Sequence, residues 1–238
     1  MKNFTFNGIS KPYLTALKDS NRQPWAPIEW TYQDVPKRPG ALPVKKNTGV
    51  RALPLPVFLK GKSIEDLQKV KEDLAEWLIH DEPKPLIFDD EPNRIYYAVV
   101  DGSFDLDEIL KWGQGVIPFI CPDPYKYGEE ESLILGGFPI RNVGTLKANP
   151  VFSIKFMANI TNYTVSVNEK TLKVIWNFKQ NDLLMIDTSK RKITINNLVK
   201  MTALDLSSKW PEFIKGQNNI IADKTVANIT VTFRPRWL

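Results

Sequence analysis

The sequence predicts a mainly β protein of two domains, with one α-helix set among the strands of the first. Three observations carry that prediction. Short apolar-alternating runs recur along almost the whole chain, parted by Gly, Pro, Asn, Asp and Lys. Only the stretch from Ser63 to Leu78 sustains helical periodicity. The texture also changes near Ile140, after which prolines become scarce and the charge changes sign. Up to Ile140 there are 17 Lys and Arg against 21 Asp and Glu, net −4; beyond it 15 stand against 6, net +9. Such asymmetry suggests domains that face different partners. At 238 residues, each half is long enough to bury its own core.

Residues 3–9 form the first expected strand, with Phe4, Phe6 and Ile9 interrupted by Gly8. Ile28 to Tyr32 alternates and gives a second. Val35 to Val44 (VPKRPGALPV) holds three prolines and a glycine, which suits an extended loop or arm. Val50 to Leu59 alternates again, and because Pro54 and Pro56 lack an N–H it is expected at a sheet edge. Ser63 can cap the helix, with Asp66 three residues on. Ile64, Leu67, Val70, Leu74, Trp77 and Leu78 share one helical face, and Pro83 and Pro85 prevent continuation. A hairpin follows, Leu86 to Phe88 and Arg94 to Val100, joined by the acidic turn Asp89, Asp90, Glu91 and Pro92. Ser103 to Val116 is polar, and Val116 to Cys121 is a further strand. Past Arg141, short strands centred near residues 154, 165, 174, 185, 194, 220 and 231 predict an antiparallel sandwich. These elements place the domains at residues 1–138 and 139–238.

Little in the chain is arranged for bond-making chemistry. His80 is the only histidine, at a helix end, where a solvated imidazole meets the dipole favourably. Cys121, the only cysteine, lies inside an apolar strand and excludes an internal disulfide or a multi-cysteine metal site. The adjacent carboxylates of the acidic turn diverge, which suits neither a glycosidase pair nor a hard-cation loop. No enzyme, cofactor or metal site is therefore expected. No apolar run approaches the roughly 20 residues of a membrane helix, so no membrane insertion is expected. Tyr163, Trp176 and Trp210 are the candidate sugar contacts of the second half, because exposed aromatics serve lectin-like domains as stacking platforms. Lys190, Arg191 and Lys192, with Arg234 and Arg236, form a basic surplus able to meet phosphates, although a hairpin tip of this kind is commonly just solvated.

Several segments, in order, resemble the distal tail proteins of long-tailed siphophages. They are Phe4 to Gly8, Arg38 to Ala41, the helix ending in Trp77-Leu78, Leu86 to Asp90 with Tyr96 to Ala98, and Phe119 to Gly128. In the second half they are Asn149 to Phe152, Gly216 to Ile220, and the ending Arg234 to Leu238. The resemblance implies an N-terminal β-sandwich with one helix and a protruding hairpin or arm, followed by a galectin-like or carbohydrate-module-like sandwich. It further implies a homohexameric ring at the distal tail tip of the virion, assembled in the bacterial host cytoplasm. The implied partners are the tail tube protein, the tape measure protein, a tail-associated lysin or tip protein and a receptor-binding protein, with transient passage of DNA and no specific binding of it. Within that frame, Pro36, Arg38, Pro39 and Pro43 become candidate arm residues at the oligomer interface, and Asp89, Asp90 and Glu91 become candidate channel-facing acids. The rival expectation is a tip protein that recognises host cell-wall polysaccharide through its C-terminal sandwich.

Overall fold

Alternation organises the first half. In strand β5 (Arg51–Lys60), Leu53, Leu55, Val57 and Leu59 all face inward while their neighbours face out. The computed structural model describes residues 3–17, 22–109, 112–136 and 139–238. Within them the chain divides between Lys126 and Tyr127 into two compact units, Leu238 being counted with the first.

The first unit carries β1 (Phe4–Phe6), β2 (Leu14–Ala16), β3 (Ile28–Asp34), β4 (Ala41–Thr48) and β5, then α1 (Ile64–Leu78), β6 (Lys84–Phe88), β7 (Tyr96–Val100), β8 (Leu106–Ile109) and β9 (Trp112–Cys121). One sheet runs in the order β1-β6-β7-β9-β5-β2, with β8 also pairing β9. The pairings are antiparallel, and β5 lies against β9 over ten residue pairs, from Arg51↔Cys121 to Lys60↔Trp112. Helix α1 starts where expected: the Ser63 hydroxyl accepts from the Asp66 N–H at 3.1 Å. The Asp66 carboxylate reaches back one residue further than a capping box would, to the Lys62 N–H at 2.7 Å. Leu67, Val70, Leu74, Trp77 and Leu78 are buried against Phe4, Phe6, Leu53, Val57 and Phe119 in one core. Ile64 departs from the expected apolar face and is exposed.

Strand β5 is not at the sheet edge, because β2 pairs it at Val57, Phe58 and Leu59. The prolines still explain the geometry. Lys60 donates to Tyr13 and Pro56 accepts from Leu17 on the β2 side, so the even-numbered residues of β5 point there. The missing N–H groups of Pro54 and Pro56 therefore face the β2 side, where the described pairs end at Val57.

The second unit follows the short strand β10 (Lys126–Tyr127). It comprises β11 (Glu131–Ile134), β12 (Ile140–Asn142), β13 (Val151–Phe156), β14 (Ile160–Val167), β15 (Lys170–Phe178), β16 (Leu183–Asp187), β17 (Lys192–Ile195), β18 (Leu198–Val199), β19 (Gly216–Asn218), β20 (Ile220–Ala222), β21 (Ala227–Phe233) and β22 (Arg236–Trp237). A six-stranded sheet, β11-β21-β13-β16-β17-β18, and a three-stranded one, β15-β14-β20, enclose a core that includes Phe152, Ile154, Phe156, Val165, Leu172, Val174, Leu184 and Val231. This is the predicted antiparallel sandwich. A short 3-10 turn spans Met201–Ala203.

β11 pairs β21 from Glu131↔Phe233 to Ile134↔Thr230, so residues 131–134 belong to the sandwich sheet. That shifts the charge balance. With Glu129, Glu130 and Glu131 in the second unit, the first holds 17 basic against 18 acidic residues, net −1, and the second 15 against 9, net +6.

Candidate functional site

Three features of the chain were candidates for function, and the structure treats each differently. The Pro-rich segment is the tip of a β-hairpin longer than the expected arm. β3 and β4 pair from Ile28↔Thr48 to Asp34↔Ala41, and among the described residues neither strand has another sheet partner. Gly49 N–H donates to the Pro27 carbonyl at 2.8 Å and closes the base. At the tip, Lys37 (φ 65°) and Gly40 (φ 79°) take left-handed conformations that turn the chain back. Pro36, Arg38, Pro39 and Pro43 are all exposed; within the two strands only Ile28 and Thr48, at the base, are half-buried, and at the tip Val35 is as well. Trp30, Tyr32 and Val44 are 46%, 62% and 61% exposed. An isolated two-stranded ribbon with aromatic side chains in water is unstable alone and gains most from a partner surface.

The acidic turn between β6 and β7 spends its charge locally. Asp89 accepts from the Asn3 N–H at 2.8 Å. Asp90 is paired with Arg22. Glu91 accepts from Tyr96 Oη at 2.7 Å and Lys126 Nζ at 3.0 Å, with Arg22 at 3.9 Å. Burial by itself would raise the Glu91 carboxyl; the Tyr96 and Lys126 hydrogen bonds and the two nearby cations outweigh it and hold it below its ordinary value. A carboxyl lowered in the folded state stabilises the fold above its unfolded value, and that contribution is lost as pH falls through the lowered value. We therefore expect the first unit to lose stability on acidification below 4.5. Glu91→Gln should flatten this dependence in urea titrations followed across that range; an unchanged slope would refute the assignment.

The three candidate aromatics do not converge. Tyr163 is corrected to a core residue: it is 4% exposed, stands edge-on to Phe156 at 5.2 Å, and donates its hydroxyl to the Asp223 carbonyl at 2.6 Å. It offers no stacking face. Trp176 is half-buried, with the Lys200 ammonium 5.3 Å from its ring centre. Trp210, also half-buried, lines an open cleft of ≈ 420 Å³ in the second unit.

His80 is half-buried instead of solvated, its ring against Phe6 at 5.8 Å and its Nε2 without a partner among the described residues. Cys121 is buried and its thiol is pushed up to about 12, chiefly by burial, as an inert core cysteine would be. Among the described residues no group of His, Cys, Asp and Glu could hold a metal, and no helix is long and apolar enough to cross a membrane.

A one-helix β unit bearing a free hairpin, joined to an antiparallel sandwich, matches known tail proteins along its length. Residues 9–121 match the family described as "Phage tail protein RIFT-related domain", and residues 143–237 match "Siphovirus-type tail component, C-terminal domain". The two matches define a siphophage tail component. The distal tail protein of Bacillus phage SPP1 is 30% identical over 207 residues, 84% of this chain and 81% of that one. This chain belongs to the distal tail protein family. The crystal structure of SPP1 Dit, titled a paradigm of the hub adsorption apparatus in phages infecting Gram-positive bacteria, superposes with a TM-score of 0.86 over 100% of both chains at 20% identity, which establishes the shared fold. A component of the phage p2 baseplate shares 10% identity over 98% of each chain at a TM-score of 0.49.

Proposed function

We propose that this chain forms a closed ring of six copies at the distal end of the tail, the hub that joins the tail tube protein to the tail-associated lysin and receptor-binding proteins. The observation that carries the reading is the β3–β4 hairpin: a ribbon paired only with itself among the described residues, with aromatic side chains in water and a base closed by its own hydrogen bond. Such a ribbon suits a neighbouring copy in a head-to-tail ring, where each arm covers the next subunit. Pro36, Arg38, Pro39 and Pro43 then sit at the intersubunit contact. The copy number follows the family, as do the tape measure protein and DNA passing through the centre, and assembly in the host cytoplasm.

Passage of DNA without retention asks for a ring that is not basic. The first unit, at net −1, meets that condition by balance and not by an acidic lining. The paired state of Asp89, Asp90 and Glu91 supports the same view. They are proposed as braces of a hairpin beside the channel.

The test is excision of residues 28–48, replaced by a short Gly-Ser link between Pro27 and Gly49, which already meet. Light scattering should give the mass of six copies for the intact chain and of one for the excised chain. A ring that survives excision, or an intact chain that stays monomeric at high concentration, would overturn the proposal.

A further inference from the structure

We infer that the cleft beside Trp210 binds an anionic carbohydrate, a sugar chain carrying phosphate or carboxylate groups. Its walls come from four places in the second unit: Asn149 before β13, Lys170 at the start of β15, the β16–β17 hairpin tip (Thr188, Ser189, Arg191), and Ser208 to Glu212. The frame is stiff. Asp187 accepts from the N–H groups of Ser189 and Lys190, both at 3.0 Å, and from Ser189 Oγ at 2.6 Å, bracing the tip. Arg191 is fixed there in the left-handed region at φ 49°. Ser208 Oγ accepts from the Lys173 N–H at 3.0 Å, and the Lys209 N–H donates to Thr171 at 2.8 Å, which ties the other wall to β15.

Four of the residues that line the cleft have polar side-chain groups without a hydrogen-bonding or ionic partner among the described residues: the Asn149 amide, the Arg191 guanidinium, the Lys209 ammonium and the Trp210 indole N–H. The indole N–H is also not among the buried unpartnered atoms, so it is open to solvent. One carboxylate lines the cleft, Glu212, and it is already shared by Lys170 at 2.6 Å and Lys147 at 3.1 Å. The free charge is therefore positive. Two cations, an amide and an indole around ≈ 420 Å³ of open volume are the means by which a protein holds a polyhydroxylated anion: charge-assisted bonds to the acid group, amide and indole bonds to hydroxyls, and an aromatic ring beside the sugar. A second cleft of ≈ 260 Å³, lined also by Glu130, Arg234 and Arg236, shares Asn149 and Ser189 with the first. Nucleic acid is the less favoured anion, because strand binding relies on several successive stacking platforms and the cleft has one aromatic residue.

The experiment is titration calorimetry of the full chain with three oligosaccharides of equal length, one unmodified, one phosphorylated and one built of uronic acid, and with a short oligothymidylate. At least one acidic oligosaccharide should bind saturably, about tenfold or more tighter than the unmodified one, a gap of about 1.4 kcal/mol. The two acidic arms distinguish phosphate from carboxylate. Arg191→Asn combined with Lys209→Gln should remove that preference; Asn tolerates the left-handed backbone, and the Lys209 side chain has no structural partner. Trp210→Phe, which keeps most of the packing, should weaken all sugar binding several-fold. Each variant is compared at an unchanged unfolding midpoint, with Lys200→Gln beside Trp176 as a control for loss of a positive charge elsewhere in the same unit. No saturable binding, equal binding of the unmodified sugar, the same loss in the Lys200 control, or tighter binding of the oligothymidylate would each overturn the assignment.

Discussion

Trp77→Ala is expected to destabilise the first unit by about 4 kcal/mol, at the upper end of core truncations. The indole closes the C-terminal end of α1 over the sheet. It stacks on Phe4 at 5.7 Å and meets Phe6 edge-on at 6.2 Å, and its N–H donates to the Phe6 carbonyl at 3.0 Å. Truncation opens a cavity between helix and β1, neither of which can move freely to fill it, since β1 is held by β6 from Phe4↔Phe88 to Phe6↔Leu86. Trp77→Phe retains most of the packing and loses the hydrogen bond, so it should cost about 1–2 kcal/mol. Urea unfolding of the two variants separates the contributions. Equal losses would mean that the hydrogen bond dominates and the cavity closes.

Arg51→Met should cost about 3 kcal/mol, although Met fills much of the same space. The Arg51 side chain is 1% exposed and bridges two segments that have no regular structure of their own. Its Nε donates to the Pro124 carbonyl and its Nη1 to the Gln23 carbonyl, both at 2.9 Å. Removing it leaves two acceptors without donors at the foot of the hairpin and at the exit of β9. A lysine has one ammonium and cannot reproduce the planar fork, so Arg51→Lys should be nearly as costly. Limited proteolysis near Gln23 and Pro124 should accelerate in both variants. A lysine variant with the parent's stability would refute the bridging role.

How far the sequence foretold all this depends on where the controlling contacts lie. Helix α1 was legible because its cap and its apolar period are local, and Ser63, Leu67 and Trp77 sit where local rules place them. The sandwich strands were legible because one face of each is buried, which writes a period of two into β13 and β16. Strand β8 was not: Leu106 to Ile109 interleaves Asp and Glu with its apolar residues, and it exists through its pairing with β9. Strand β4 reads as loop in the sequence because both its faces are exposed, leaving no alternation, while Pro43 and paired lysines suppress the strand signal. For the cleft, Trp210 and Arg191 were visible as residue types. Asn149 and Lys209 were not singled out as ligands, because they join those two only when the tip of one hairpin folds beside the loop that leads to β19. Tyr163 shows the converse. Aromatic alternation in a strand does not say which phase faces the core.

The proline pair of β5 has a consequence for copy number. A protein that offers an extended ribbon to its neighbours invites uncontrolled growth, since any other bare strand could template a chain of its own. The edge of β5 beyond its pairing with β2, unpaired among the described residues, is such a place, and at Pro54 and Pro56 it presents no donors. A foreign strand arriving there would find its acceptors unanswered. Fibres seeded at that site are thereby discouraged, and the stoichiometry of any assembly is left to the hairpin.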